Sequence, residues 1–231
     1  RRFDLHWLHI RQGQKWAAAQ PEADDAAVRL CEDYAGTTAN CLDLRLNPKE
    51  WIIWLQDALK AARYLRIKKA QATHLGNLGI AHRKLGQLDI AIKYFKHALA
   101  ISCQIGDRQG ECYQLGNLGI AYRNQGQLEK AIKCNKRVLA ITRQAGDHVR
   151  EGFTLGNLGL TSADLGQMDE AIDLCQQALS IARENGDRRG EGNHLGNLGL
   201  AYADLGQEEL AIDYYHQALA IAQEIGDRRN E

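Results

Sequence analysis

The sequence is poor in proline, methionine and aromatic residues, and it carries no net charge. Of its 231 residues, 2 are Pro, 1 is Met and 6% are Phe, Trp or Tyr. No apolar run approaches the roughly 18–20 residues that a membrane-spanning helix needs. There is no charged-then-apolar secretory leader, no Cys-x-x-Cys pair and no G-x-x-x-x-G-K-[ST] phosphate loop. Lys+Arg and Asp+Glu both number 29, and that balance argues against a general nucleic-acid or membrane binder. The six cysteines (31, 41, 103, 112, 134 and 175) have no regular spacing, so the expectation is reduced, mostly packed thiols in a cytoplasmic protein. His6 and His9 stand three apart on an expected helix, but no third metal ligand is evident. No local motif arranges Ser, His and Asp for catalysis. The expectation is therefore no enzyme, no metal and no cofactor. The single methionine is Met168, and the chain reads as a piece of a longer protein.

What is present is unevenly placed. Apolar residues make up 45% and charged residues 25%, the composition of an ordinary globular domain. The zero net charge is the sum of two halves: residues 1–150 hold 24 basic and 14 acidic side chains, and residues 151–231 hold 5 and 15. All four Trp and both Pro precede residue 55, whereas 20 of 22 Gly follow residue 70.

The glycine-rich part is periodic. LGNLG recurs at 75–79, 115–119, 155–159 and 195–199, a period of 40 without drift. Gly-Gln recurs at 86–87, 126–127, 166–167 and 206–207, and Gly-Asp at 106–107, 146–147, 186–187 and 226–227. Each unit is thereby cut into two segments with helical spacing, such as Leu195, Leu198, Tyr202 and Leu205, then Ile212, Tyr215, Leu219 and Ala222. Gly206 and Gly226 sit where a left-handed residue ends a helix. Asp187 and Asp227 sit where a carboxylate caps the next one. A lone helix pair cannot bury its apolar face, but stacked pairs can, so the expected fold is all-α: an α-solenoid.

Leu198-Gly199, Tyr202, Ala211, Tyr215 and Ala218 follow the order and spacing of the tetratricopeptide (TPR) consensus. Leu78, Gly79, Ala91, Phe95 and Ala98 do the same in the first unit, with His82 at the Tyr position. The second unit departs at Asn135 and Val138, and the third at Ser162 and Cys175. The chain resembles the 40-residue TPR variety, similar to Leu-Gly-Asn repeat scaffolds and kinesin light chains. That resemblance implies four units over residues 67–226 (67–106, 107–146, 147–186 and 187–226), the start of a further unit, and a right-handed superhelix. Residues 1–66 read as a degenerate helical segment: helices over 3–20 and 22–34, a loop through Gly36-Thr37-Thr38, then a helix from Pro48 to about Arg66. Its Ala58-Leu59 stand one period before Ala98-Leu99. This segment resembles the helical arm that precedes TPR arrays in bacterial signal-transduction ATPases.

Candidate binding residues follow from helix geometry. With Leu198-Gly199 numbered 7 and 8, positions 4, 8 and 11 form the stripe that packs on the partner helix. Positions 2, 6, 9 and 13 form the opposite stripe. Position 6 is Asn77, Asn117, Asn157 and Asn197, and position 9 is Ile80, Ile120, Leu160 and Leu200. Position 2 includes Tyr113 and Phe153, while position 13 is Lys84, Asn124, Asp164 and Asp204. Arg83 and Arg123 stand at position 12. An amide both donates to and accepts from a peptide backbone, and its apolar neighbours supply burial. The TPR resemblance implies that this stripe lines a concave groove for an extended peptide or partner segment. An Asn column that instead fixes repeat packing remains the alternative. The charged positions predict a groove running from basic to acidic, suited to a bipartite peptide. Gly76, Gly116, Gly156 and Gly196 at position 5 each cost about 0.5–1 kcal/mol in a helix interior, which points to close packing or to ligand access. The partner is expected to be protein or peptide, with no nucleic acid and no membrane. Self-association through repeat ends, or a sensor role in a larger ATPase, is the other reading.

Overall fold

The computed structural model describes residues 7–19, 26–31 and 47–226, with the side chains of residues 7 and 8 excepted. Among the described residues ten helices are 13 residues long or more. α1 is Trp7–Ala19, α2 Pro48–Tyr64, α3 Lys68–Lys84, α4 Leu88–Gln104 and α5 Arg108–Asn124. α6 is Leu128–Ala145, α7 His148–Asp164, α8 Met168–Glu184, α9 Arg188–Asp204 and α10 Glu208–Glu224. Residues 26–31 are also helical, and no strand occurs among the described residues. The fold is all-α, an α-solenoid of paired helices. The expected loop at Gly36–Thr38, His6 and Asp227 lie outside the described residues.

The punctuation read from the sequence explains where helices start and stop. Pro48 opens α2 at its first turn, and the Asn47 side chain accepts from the Lys49 and Glu50 backbone N–H groups at 3.0 Å. Asp107, Asp147 and Asp187 accept from the third N–H of the following helix (Gly110, Arg150 and Gly190) at 2.9–3.0 Å. Gly206 and Gly226 have φ of 72° and 65°, the left-handed region that only glycine enters without cost. After α2 the equivalent position is Arg66, at φ 58°.

Two compact units divide the chain, Arg1–Ala121 and Tyr122–Glu231. In the first, α2 packs on α3 and α3 on α4. Its core is Trp51, Trp54, Leu55, Ala58 and Leu59 against Leu75, Leu78, Ala81 and Ala98. Trp51 and Trp54 are buried, but Trp16 is 53% exposed, so the tryptophans do not form one cluster. Arg11 of α1 bonds Glu50 of α2 at 2.6 Å. In the second unit α7 pairs with α8 and α9 with α10, and α8 packs on α9. Cys175, Leu179, Leu195, Leu198 and Ile221 form its core. Each fully buried Leu contributes about 1.5–3 kcal/mol relative to exposure. That contribution, repeated from pair to pair, lets helices of modest intrinsic propensity persist.

Candidate functional site

The position-5 glycines fix how neighbouring first helices approach. A Cβ on Gly76 would stand 2.7 Å from the Gln114 amide, and one on Gly156 would stand 2.8 Å from the His194 ring. Gln114 and His194 both occupy position 3 of the next repeat, so a planar side chain fills a notch that glycine leaves. Packing therefore accounts for two of the four glycines. Gly116 and Gly196 meet nothing within 4 Å.

In the second unit this packing floors a depression. Phe153, Asn157 and Leu160 from α7, Asn193, His194, Asn197 and Leu200 from α9, and Tyr215, Ala218 and Leu219 from α10 line a pocket of about 600 Å³. A second pocket of about 200 Å³ shares Leu160, Asn197 and Leu200 and adds Arg123, Asp164, Cys175 and Asp204. The residues of positions 2, 6, 9 and 13 thus converge over repeats three and four. Leu200 is 51% exposed, and an apolar side chain so placed has surface to bury. Tyr215 and Leu219, from the second helix of the pair, were not among the sequence candidates. Their signal was a helical face shared with Ala218 and Ala222.

The four asparagines are not equivalent. Asn77 is buried, at 7% exposure. The Asn117 amide donates to the Tyr113 carbonyl at 3.1 Å, one turn back in its own helix. Asn157 and Asn197 are half-buried on the pocket wall. In the first unit Tyr113 is exposed, Ile80 and Ile120 are half-buried, Arg83 is half-buried and Lys84 exposed.

The charged positions behave differently from a simple gradient. Arg123 Nε and Nη2 donate to the Asp164 carboxylate at 2.5 and 3.2 Å. A bidentate pair of this kind is among the stronger charged hydrogen bonds. It satisfies both residues and leaves Asp204 as the acidic group of the smaller pocket without a partner among the described residues. Asn124 is exposed.

Other charges brace the helix ends. Glu151 and Glu191 are buried just before position 1 and accept from Arg143 and Arg183 at 2.7 and 2.9 Å. Arg188 adds a second bond to Glu191 and reaches Glu224. Burial alone would raise the Glu191 carboxyl, but the hydrogen bonds from Arg183 and Arg188 outweigh it and hold its pKa below the usual range. The bond from Arg188 likewise lowers Glu224. Burial pushes His194 below the usual imidazole value, partly opposed by the Asp187 charge. The Cys175 thiol is pushed up to about 11 by burial. Among the described residues no three His, Cys, Asp or Glu side chains gather as a metal site, and no helix is long and apolar enough to cross a membrane.

The chain belongs to the tetratricopeptide repeat family. Tetratricopeptide repeat models match residues 71–105, 112–163 and 154–224. No curated protein sequence matches it. Among solved structures it is similar to BtubC (BKLC) from P. vanneervenii, at 18% identity and TM-score 0.77, over 97% of this chain and 92% of that one. It is also similar to a putative kinesin light chain from Podosopora anserina with nearly identical TPR-like repeats, at 20% identity and TM-score 0.64, over 89% and 99%. A Rap protein complexed with Competence and Sporulation Factor gives 17% identity and TM-score 0.78, over 87% of this chain and 56% of that one.

Proposed function

We propose that this chain is a protein-interaction scaffold that holds an extended peptide segment on the stripe of its first helices, chiefly over repeats three and four. The observation that carries the reading is the convergence of Phe153, Leu160, Leu200, Asn157 and Asn197 on one pocket of about 600 Å³. The two amides supply donors and acceptors for peptide backbone. The exposed apolar groups supply the burial that makes such bonds worth forming. The Rap conjugation gene regulator of the plasmid pLS20, whose structure is in complex with the Phr* peptide, shares the fold, which supports a peptide as the kind of ligand. The reading is of a binder. The buried His194 ring packs against Phe153, and a thiol at about 11 such as Cys175 is a poor nucleophile at neutral pH.

The test is binding of the whole chain to a peptide library, followed by affinity measurements on variants. Asn157→Ala combined with Asn197→Ala should weaken a selected peptide about tenfold or more, from the loss of two hydrogen bonds. Phe153→Ala should weaken it comparably. An unchanged affinity in the double variant, with helicity and melting intact, would falsify the amide ladder.

A further inference from the structure

The four repeats fill one internal position differently. Position 11 of the first helix and the residue twelve places later, in the second helix, read His82/Tyr94, Tyr122/Cys134, Ser162/Leu174 and Tyr202/Tyr214. In the first repeat the two rings stack with centroids 5.2 Å apart and 15° between planes. In the fourth they stack at 5.3 Å and 3°. The third repeat has a hydroxymethyl group and an isobutyl group in their place.

The missing rings leave a slot. Between α6 and α8, floored by α7, lies a cavity of about 540 Å³ walled by Leu139, Leu155, Leu158, Ser162 and Leu174. One repeat later the corresponding residues, Leu179, Leu195, Leu198, Tyr202 and Tyr214, form a filled core cluster. The molecule therefore displays what fits this space: a phenol ring between two leucines of the floor. Ser162 is only 3% exposed, so an entering ring would replace little bound water at the base. The slot uses positions 4, 7 and 11 of α7, the side turned away from Phe153, Asn157 and Leu160, and it is independent of the peptide stripe.

The rim carries opposite signs on its two sides. Lys136 stands at the mouth on α6 and Glu170 on α8, both exposed, and no ion pair joins them among the described residues. Arg143, also at the rim, is committed to Glu151 at 2.7 Å. α6 carries Lys130, Lys133, Lys136, Arg137 and Arg143 against the single acid Glu129. An entering group is thus favoured if it brings a carboxylate to the α6 side.

We infer that this slot is a second docking site, which takes an aromatic side chain of a partner polypeptide lying beside a carboxylate that pairs with Lys136. The ring supplies the buried area that Tyr202 and Tyr214 supply in the fourth repeat, and the ion pair sets the direction of approach.

The experiment titrates the whole chain with 4-methylphenol and with 3-(4-hydroxyphenyl)propionate, following leucine methyl resonances by NMR. Both probes should shift the methyls of Leu139, Leu155, Leu158 and Leu174, with the propionate binding about threefold tighter at low salt. Lys136→Gln should abolish that preference without moving the melting temperature. Ser162→Tyr combined with Leu174→Tyr, which copies the fourth repeat, should remove binding of both probes while the protein stays folded. Two results overturn the inference: slot methyls that do not move in the native chain, or equal binding by a folded Ser162→Tyr/Leu174→Tyr variant. If that variant fails to fold, loss of the preference in Lys136→Gln supports the inference, and its retention overturns it.

Discussion

Arg66 shows how one residue can stand outside the pattern of its neighbours. It holds the left-handed turn after α2 at φ 58°, where the repeats that follow place glycine. A Cβ in that region costs about 1–2 kcal/mol, partly offset by the greater freedom of glycine in the unfolded chain. Arg66→Gly should therefore raise stability by about 0.5–1 kcal/mol, read as a higher urea midpoint. Glu191 gives a pH-dependent expectation. Its folded-state pKa lies below the unfolded value because Arg183 and Arg188 bind the carboxylate despite its burial. The folded state thus binds that proton less readily, and the stabilisation is complete above the ordinary carboxylate value near ~4.3. It is lost as pH falls through the folded-state pKa. Glu191→Gln should cost about 1–2 kcal/mol at pH 7, and the gap to the native chain should narrow in urea titrations as the pH falls through the folded-state pKa. The Arg-to-Glu spacing of eight was visible in the sequence at Arg143/Glu151 and Arg183/Glu191. Its meaning was not, because nothing in one dimension says that the turn brings those residues together.

At the scale of helices, the periodic glycines and aspartates stated the architecture plainly. A 40-residue period with two Gly stops has one economical solution, and helix starts at Pro48, Arg108, His148 and Arg188 fall where the caps require. The candidate groove was legible as a stripe at positions 2, 6, 9 and 13. Which members matter was not legible, since identical asparagines meet different surroundings: Asn77 is buried while Asn157 and Asn197 line a pocket. The contributions of Tyr215 and Leu219 come from a different helix, so no single-helix projection could include them. The glycine column gives a contrast that separates packing from propensity. Gly116→Ala should stabilise by about 0.5–1 kcal/mol, because its Cβ meets nothing within 4 Å and alanine is the better helix former. Gly156→Ala should destabilise, because the same atom would stand 2.8 Å from the His194 ring. Thermal melts of the two variants should move in opposite directions; a shift of both the same way would refute the notch.

At the scale of the whole molecule, the neutral total is less informative than its distribution. Residues 122–231, the second unit, contain 12 basic and 17 acidic side chains. The Arg123–Asp164 pair cancels one opposition that the sequence suggested, and leaves Asp204 to meet a ligand. A peptide with a basic residue beside its apolar anchor should bind this unit more tightly at low salt. Asp204→Asn should remove most of that salt dependence, a difference of up to ~1 kcal/mol for an exposed pair. Titrations at two ionic strengths measure it.

The fit of His194 into the notch at Gly156 also bears on how such a chain changes over generations. The glycine stands at position 5 of every repeat, but a side chain fills its notch only at Gly76 and Gly156, whereas Gly116 and Gly196 meet nothing within 4 Å. A 40-residue segment duplicated or deleted in register therefore brings a glycine that accepts either a planar side chain or none. That tolerance lets repeat number drift while the faces beside the junction vary, as Ser162 and Tyr202 do at one position.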